Sequence, residues 1–283
     1  MIIVTAASGQ LGRLVIEQLL KRVPASQIVA AVRDVSKVAD LAAQGVQVRQ
    51  ADYTDPASLD RALIGASKVL LISSNDLGQR VAQHRNVIDA AARAKVGLLA
   101  YTSVLHADTS TLGLAAEHRE TEAAILASGL PYTLLRNGWY VENYTGSLGP
   151  AIAHGALAGA AGEGRIAAAA RADYAEAAAI VLASSAAPQA IYELAGDLSF
   201  SLAELAAEVS RQTGKQIPYA NMPKQAYLDL LLSVGLPPAL AELVADSDAQ
   251  AASGALDDKG GVLGQLLGRP TMTLEQAVRA ALV

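Results

Sequence analysis

Thr5-Ala6-Ala7-Ser8-Gly9-Gln10-Leu11-Gly12 places two glycines three residues apart, directly after a short β-branched run. Residues in that pattern hold a phosphate. Gly9 lets the backbone approach a pyrophosphate, and Gly12 lets the following helix pack close to the strand. Unpaired N–H groups of the first helical turn then favour an anion. The G-x-x-G-x-x-G series calls for a glycine at position 6, where this chain has Ala6. The alternative is a plain strand-to-helix turn with Ser8 as the cap.

A second candidate follows the next β-branched run, Ala30-Ala31-Val32-Arg33-Asp34. An acidic residue about 20 positions past the glycines holds ribose hydroxyls, whereas an arginine there accommodates a 2′-phosphate. Guanidinium matches phosphate by paired hydrogen bonds, so Arg33 points to NADP(H). The alternative leaves Arg33 solvated, with Asp34 or Ser36 capping the next helix. Asp52 would accept from an adenine amine or cap its own loop.

The missing chemistry narrows the reaction. Proton exchange by a tyrosine needs a lysine four residues on along a helix, and none of the nine tyrosines has one. The chain has no phosphate-binding G-x-x-x-x-G-K-[ST] and no G-x-S-x-G elbow. Its four histidines, at 84, 106, 118 and 154, lack metal-ligand spacing, and it has no cysteine. An electron-poor quinone tolerates these absences, because its ring stabilises the anion left by hydride addition. Tyr101 and His106 are candidate proton donors, and Trp139 and Tyr140 could stack on a flat acceptor. Against these stand a core tryptophan and a surface-loop histidine. His84, beside Arg80 and Arg85, and Glu117, Glu120 and Glu122 read as solvated.

These residues need a frame. Apolar runs at 2–4, 28–32, 46–49, 69–72, 98–102 and 132–136 read as strands. Between them, residues 10–22, 36–44, 58–63, 81–94 and 117–127 have helical spacing. Unbroken apolar strands alternating with helices imply parallel βαβ units covered on both faces. The expected class is α/β, a doubly wound parallel (Rossmann) sheet with a smaller, mostly helical C-terminal lobe. The expected division is 1–149 for the NADP-binding domain and 150–283 for the substrate lobe, with about 173–197 returning to the sheet. Helices are expected at 174–182, 202–212, 226–234 and 239–244, the second capped by Ser199 or Ser201. A strand is expected at 191–194, and Thr273-x-x-Gln276 is a capping box.

Hydrophobic residues make up 52% of the chain and charged residues 17%, enough to bury a large core. The net charge of −5 and the lack of a basic run disfavour nucleic acid as a partner. No apolar run is long enough for a membrane span, and MIIVTAASGQLG does not match a signal peptide. The expectation is a cytoplasmic protein acting on a small quinone-like molecule, and its apolar composition is compatible with a homodimer.

The glycine turn, Leu71-Ile72-Ser73-Ser74, Tyr101-Thr102-Ser103 with Leu105-His106-Ala107-Asp108, and Leu135-Arg136-Asn137-Gly138-Trp139-Tyr140 carry a resemblance. Arg171-Ala172-Asp173-Tyr174 and Tyr192-Glu193-Leu194-Ala195-Gly196 extend it along the whole chain. The chain resembles the NmrA-like atypical short-chain dehydrogenase/reductases. Within them it looks most like the flavin-independent type 2 NAD(P)H:quinone oxidoreductases, with the triphenylmethane dye reductases more distant. The resemblance implies a pyrophosphate held by Ala6, Ala7, Ser8, Gly9, Gln10, Leu11 and Gly12, and a 2′-phosphate held by Arg33. It implies cofactor contacts from Ile72, Ser73, Ser74 and Asn75, and a nicotinamide wrapped by Asn137, Gly138, Trp139, Tyr140, Val141 and Glu142. Arg171 would reach the same cleft. The implied activity is two-electron quinone reduction by NADPH. The alternatives are a non-catalytic NADP-binding redox sensor and a reductase of other planar acceptors.

Overall fold

The computed structural model describes residues 1–282. It divides into two compact units. The first comprises Met1–Ala107, Glu117–Asn137 and Arg171–Glu193; the second comprises Asp108–Ala116, Gly138–Ala170 and the described residues from Leu194 onward. The division falls at residues 137 and 138, earlier than the 149/150 boundary expected from the chain's change of character.

Strand β1 (Ile2–Val4) is fully buried and runs into α1 (Gln10–Leu20). Leu11, Val15, Ile16 and Leu19 form the buried stripe of α1, as their three- and four-residue spacing dictates. β2 (Ile28–Val32) follows, then a single 3-10 turn at Val35–Val38 and the short helix α2 (Ala39–Ala43). One longer helix was expected across 36–44. Asp34 caps Ser36 N, and the β-branched Val35 and Val38 favour the tighter turn. β3 (Gln47–Gln50), α3 (Pro56–Ala62), β4 (Lys68–Leu71), α4 (Arg80–Arg93), β5 (Leu98–Val104), α5 (Ala115–Ala127) and β6 (Tyr132–Asn137) complete the alternation.

The chain then forms α6 (Glu142–Thr145), α7 (Leu148–His154) and β7 (Leu157–Gly159). It continues with α8 (Arg171–Ala183), which packs on α1, and β8 (Ile191–Leu194). The sheet order is β3-β2-β1-β4-β5-β6-β8. β1 lies parallel to both β2 and β4, with Ile3 opposite Val29 and Val69. The connection therefore reverses direction between β1 and β4, the place where such sheets form a crevice at their carboxyl ends. Ile3, Val29, Leu59, Val69, Val87 and Leu99 belong to the aliphatic core beneath it.

In the second unit, α9 (Leu202–Thr213) starts with a capping box between Ser201 and Glu204, which settles the choice between Ser199 and Ser201. β9 (Tyr219–Asn221) pairs in parallel with β7, a small ladder with no counterpart in the hydrophobic pattern. α10 (Lys224–Ser233), α11 (Pro238–Ala251), α12 (Val262–Leu267) and α13 (Leu274–Ala281) follow, with the Thr273–Gln276 capping box opening the last. Backbones approach closely in this unit. A Cβ on Gly196 would stand 2.2 Å from Ala168 O. No helix among the described residues is long and apolar enough to cross a membrane.

Candidate functional site

The turn between β1 and α1 leaves donors available. Gly9 is the N-cap of α1, no side chain caps it, and its first turn carries no acid. The N–H groups of Gln10, Leu11 and Gly12 therefore have no partner within the helix. Ser8 is not the cap. Gly9 N–H closes the turn onto Ala6 O at 3.0 Å, and Ala7 N–H donates to Ala31 O at 3.2 Å. A Cβ on Gly12 would lie 2.7 Å from Ala6 O and from Ala7 Cα, so glycine is what lets the helix start here. Ala6 itself holds φ at +49°, in the left-handed region where glycine is at ease and a Cβ is not.

A cavity of about 250 Å³ opens beside this turn, among residues that follow the carboxyl ends of β1 to β4. Ala6, Ser8 and Gly9 form one wall, Arg33, Asp52, Tyr53 and Thr54 a second, and Ser73, Ser74, Asn75, Asp76 and Gln83 a third. Arg33 is exposed, and among the described residues its guanidinium has no hydrogen bond or ion pair. Asp34 instead accepts from Ser36 N (3.0 Å) and Ser36 Oγ (2.6 Å). The Asp52 carboxylate accepts from Thr54 N–H and Oγ1, both at 2.8 Å, and the Thr54 bonds hold it below the usual carboxylate range. It thus caps its loop and lines the cavity.

The wall after β4 is clamped by one face of α4. Ser74 N–H donates to His84 Nε2 at 2.9 Å, Ser74 O accepts from Arg80 Nε at 2.8 Å, and Ser74 Oγ lies 2.5 Å from Gln83 Oε1. These side chains stand at i, i+3 and i+4, one stripe of the helix. His84 is completely buried, and the solvated reading of the sequence is corrected here. Accepting from Ser74 places its ring proton on Nδ1, 3.0 Å from Thr121 Oγ1, which donates onward to Glu117 O. Burial first, then the Arg80 charge, lowers its pKa to about 3. Ile72 is fixed from below: its N–H donates to Thr5 Oγ1, and its carbonyl accepts from Tyr53 OH.

The far side of the sheet is built differently. Tyr101 is fully buried with its phenol 2.7 Å from His118 Nδ1, so this candidate proton donor is turned into the core. His106 lies two residues beyond β5, half exposed, with φ at +50°. Its N–H donates to Glu193 Oε2 at 2.8 Å, and its Nδ1 is 3.6 Å from the same oxygen. Glu193 Oε1 accepts from Arg136 Nη1 at 2.7 Å. Glu122 takes the rest of that guanidinium, with Nε and Nη2 at 3.0 and 2.7 Å, and also accepts from Ser103 Oγ at 2.5 Å. Burial alone would lower the Arg136 pKa; the bonds from Glu122 and Glu193 outweigh it and raise it. The exposed helix face expected at Glu117, Glu120 and Glu122 holds only for Glu120. Glu122 is buried against Arg136, and Glu117 binds Gly78 N–H and Arg80. Asn137, at the end of β6, is buried, and its Oδ1 has no hydrogen-bond partner.

Gly138, Trp139, Tyr140, Val141 and Glu142 fall in the second unit. Gly138 N–H donates to Leu194 O at 2.6 Å, Ala169 N–H to Trp139 O at 3.1 Å, and Val141 N–H to Ala169 O at 2.9 Å. Trp139 and Tyr140 are half-buried, and Val141 and Glu142 start α6. Arg171 opens α8 in the first unit.

The NmrA-like family model matches residues 1–275. The chain belongs to the NmrA-like family. Its relatives include quinone oxidoreductase 2 of Escherichia coli, 56% identical over 278 residues, covering 98% of this chain and 97% of that one. The crystal structure of an Escherichia coli NADPH-dependent quinone oxidoreductase complexed with NADPH matches with a TM-score of 0.98 at 55% identity, covering all of both chains. The triphenylmethane reductase of Citrobacter sp., complexed with NADP(H), matches with a TM-score of 0.95 at 37% identity, covering 99% of this chain and 100% of that one.

In this NmrA-like chain one cavity gathers Ala6, Ser8, Gly9, Arg33, Ser73, Ser74 and Asn75 from the sequence-derived set. Tyr53, Thr54, Asp76 and Gln83 join them unannounced. Tyr53 and Thr54 were within reach of the rule that ligands meet strand carboxyl ends, because they follow β3. Gln83 carries no such signal.

Proposed function

We propose that this chain is an NADPH-dependent oxidoreductase that reduces quinones by direct two-electron hydride transfer, without a flavin. The carrying observation is the cavity that joins an uncapped helix start to an unpaired arginine. The N–H groups of Gln10, Leu11 and Gly12 would hold the pyrophosphate, and Arg33 the 2′-phosphate. Asp52 and Tyr53 would border the adenosine half. The buried, unpartnered Asn137 Oδ1 suits an amide donor at the nicotinamide end. NADPH bound there supplies the hydride. The chain's own task is then to position and to exclude water, which suffices for an acceptor as reactive as a quinone. The 56% identity to quinone oxidoreductase 2 of Escherichia coli supports that acceptor.

The likeness to the Citrobacter triphenylmethane reductase favours a second acceptor class, triphenylmethane dyes. Mixing the protein with NADPH and a simple quinone, and following the nicotinamide absorbance, tests the reading. Enzyme-dependent loss is expected. NADPH binding without oxidation would replace the enzyme with a sensor, and turnover with dyes alone would move the acceptor class.

A further inference from the structure

We propose that His106 delivers the proton that completes quinone reduction, and that Glu193, anchored by Arg136, is the residue that positions it. The inference rests on the quinone reading above. Arg33 and Asp52 place the adenosine half of a dinucleotide over β2 and β3. The pyrophosphate at the β1 turn then leaves the nicotinamide half to run the other way, over the ends of β4 and β5. His106 stands just past the end of β5.

Its backbone conformation is one that non-glycine residues rarely adopt. Such conformations persist where surroundings impose them, and Glu193 supplies that constraint by accepting the His106 N–H at 2.8 Å. The same carboxylate faces Nδ1 at 3.6 Å. Glu193 is itself fixed by Arg136, and Arg136 by Glu122. The His106 side chain is 40% exposed, so it can recharge from solvent.

The step balances. Hydride carries two electrons and one hydrogen to the quinone, leaving one oxygen as an anion. The His106 Nε2–H bond breaks, the second O–H forms, and the neutral imidazole takes a proton from water. Tyr101, bonded to His118 in the core, plays no part.

His106→Gly tests this directly, because glycine accepts the left-handed backbone and leaves a space the size of an imidazole. The expected result is a fall in kcat of about tenfold, below the roughly 100- to 10,000-fold usual for general acids because a hydroquinone anion is a weak base. NADPH affinity by titration should be unchanged, and added imidazole should restore most of kcat. His106→Asn, which also tolerates this conformation, should show the same loss if the glycine variant does not fold. Glu193→Gln should lower kcat without raising KM for NADPH, and adding it to His106→Gly should cost nothing further. A His106→Gly enzyme within twofold of native, or a slow one that imidazole leaves unchanged, overturns the assignment. Native protein with no quinone turnover instead removes the reading on which it rests.

Discussion

Arg33 and Arg136 stand on opposite sides of the β1/β4 crevice, and their surroundings could hardly differ more. Arg136 is buried and shared between Glu122 and Glu193, its charge answered twice within the protein. Arg33 is exposed at the edge of a cavity, where among the described residues it makes no hydrogen bond or ion pair and only the nearby Asp52 carboxylate senses its charge. An arginine whose charge is met inside the fold belongs to the architecture. One left open at a cavity rim is available to a ligand.

Breaking the sheltered side should have the largest effect. Arg136→Leu removes the counter-charge that the buried Glu122 bonds to and one of Glu193's donors, and should cost about 3–5 kcal/mol of stability. Urea unfolding checks it, and a loss under 1 kcal/mol would show that Glu122 and Glu193 do not depend on the guanidinium.

Acid should act on the same side next. Burial, then the Arg80 charge, lowers His84 and His118 to about 3. The unfolded chain takes up these two protons near pH 6.5, so it binds more of them between 6.5 and 3. The stability from the neutral rings is therefore complete above about pH 6.5 and declines as the pH falls, by up to about 1.4 kcal/mol per pH unit for each ring. Asp248, raised by burial to about 6, acts in the opposite sense and offsets part of this between roughly pH 4 and 6. Stability at pH 5 should thus be lower than at pH 7, and Asp248→Asn should steepen the decline. Equal unfolding midpoints at both pH values would contradict the buried neutral histidines.

On the open side, Arg33→Ala should leave stability within about 0.5 kcal/mol. It should weaken NADPH by about 10- to 100-fold, the worth of one charge-assisted contact, while sparing NADH. Equal losses for both cofactors would detach Arg33 from the 2′-phosphate. The smallest change is expected from Ala6→Gly. Relief of the left-handed strain and the added freedom of the unfolded chain nearly cancel, so stability should move by less than about 1 kcal/mol. NADPH should bind slightly tighter, and isothermal titration measures both arginine and alanine variants on one scale.

The alternation of strands and helices was legible because strands buried on both faces must be largely apolar: β1 and β2 are so throughout, β4 after Lys68 and β5 over its first three residues. The glycine turn and Arg33 were legible because a dinucleotide makes demands that only certain residues meet. The β7–β9 ladder was not, since Leu-Ala-Gly and Tyr-Ala-Asn carry no period of two over so short a run. Nor was the role of His84, which depends on a tertiary contact: beside two arginines it reads as surface, and only the carboxyl end of β4 above it supplies a backbone N–H to accept. Glu122 was misjudged for the same reason, its partner lying on another element.

The clamp on Ser74 separates anchoring from recognition. Arg80, Gln83 and His84 tie down a single residue, whereas Asn75 to Gly78 run on exposed, held only at Asp76 and Gly78 by side chains. A segment tied at its root and open beyond it is a natural grafting point. Its length and composition can be exchanged to retune which nucleotide the wall accepts, while the helix beneath keeps its place.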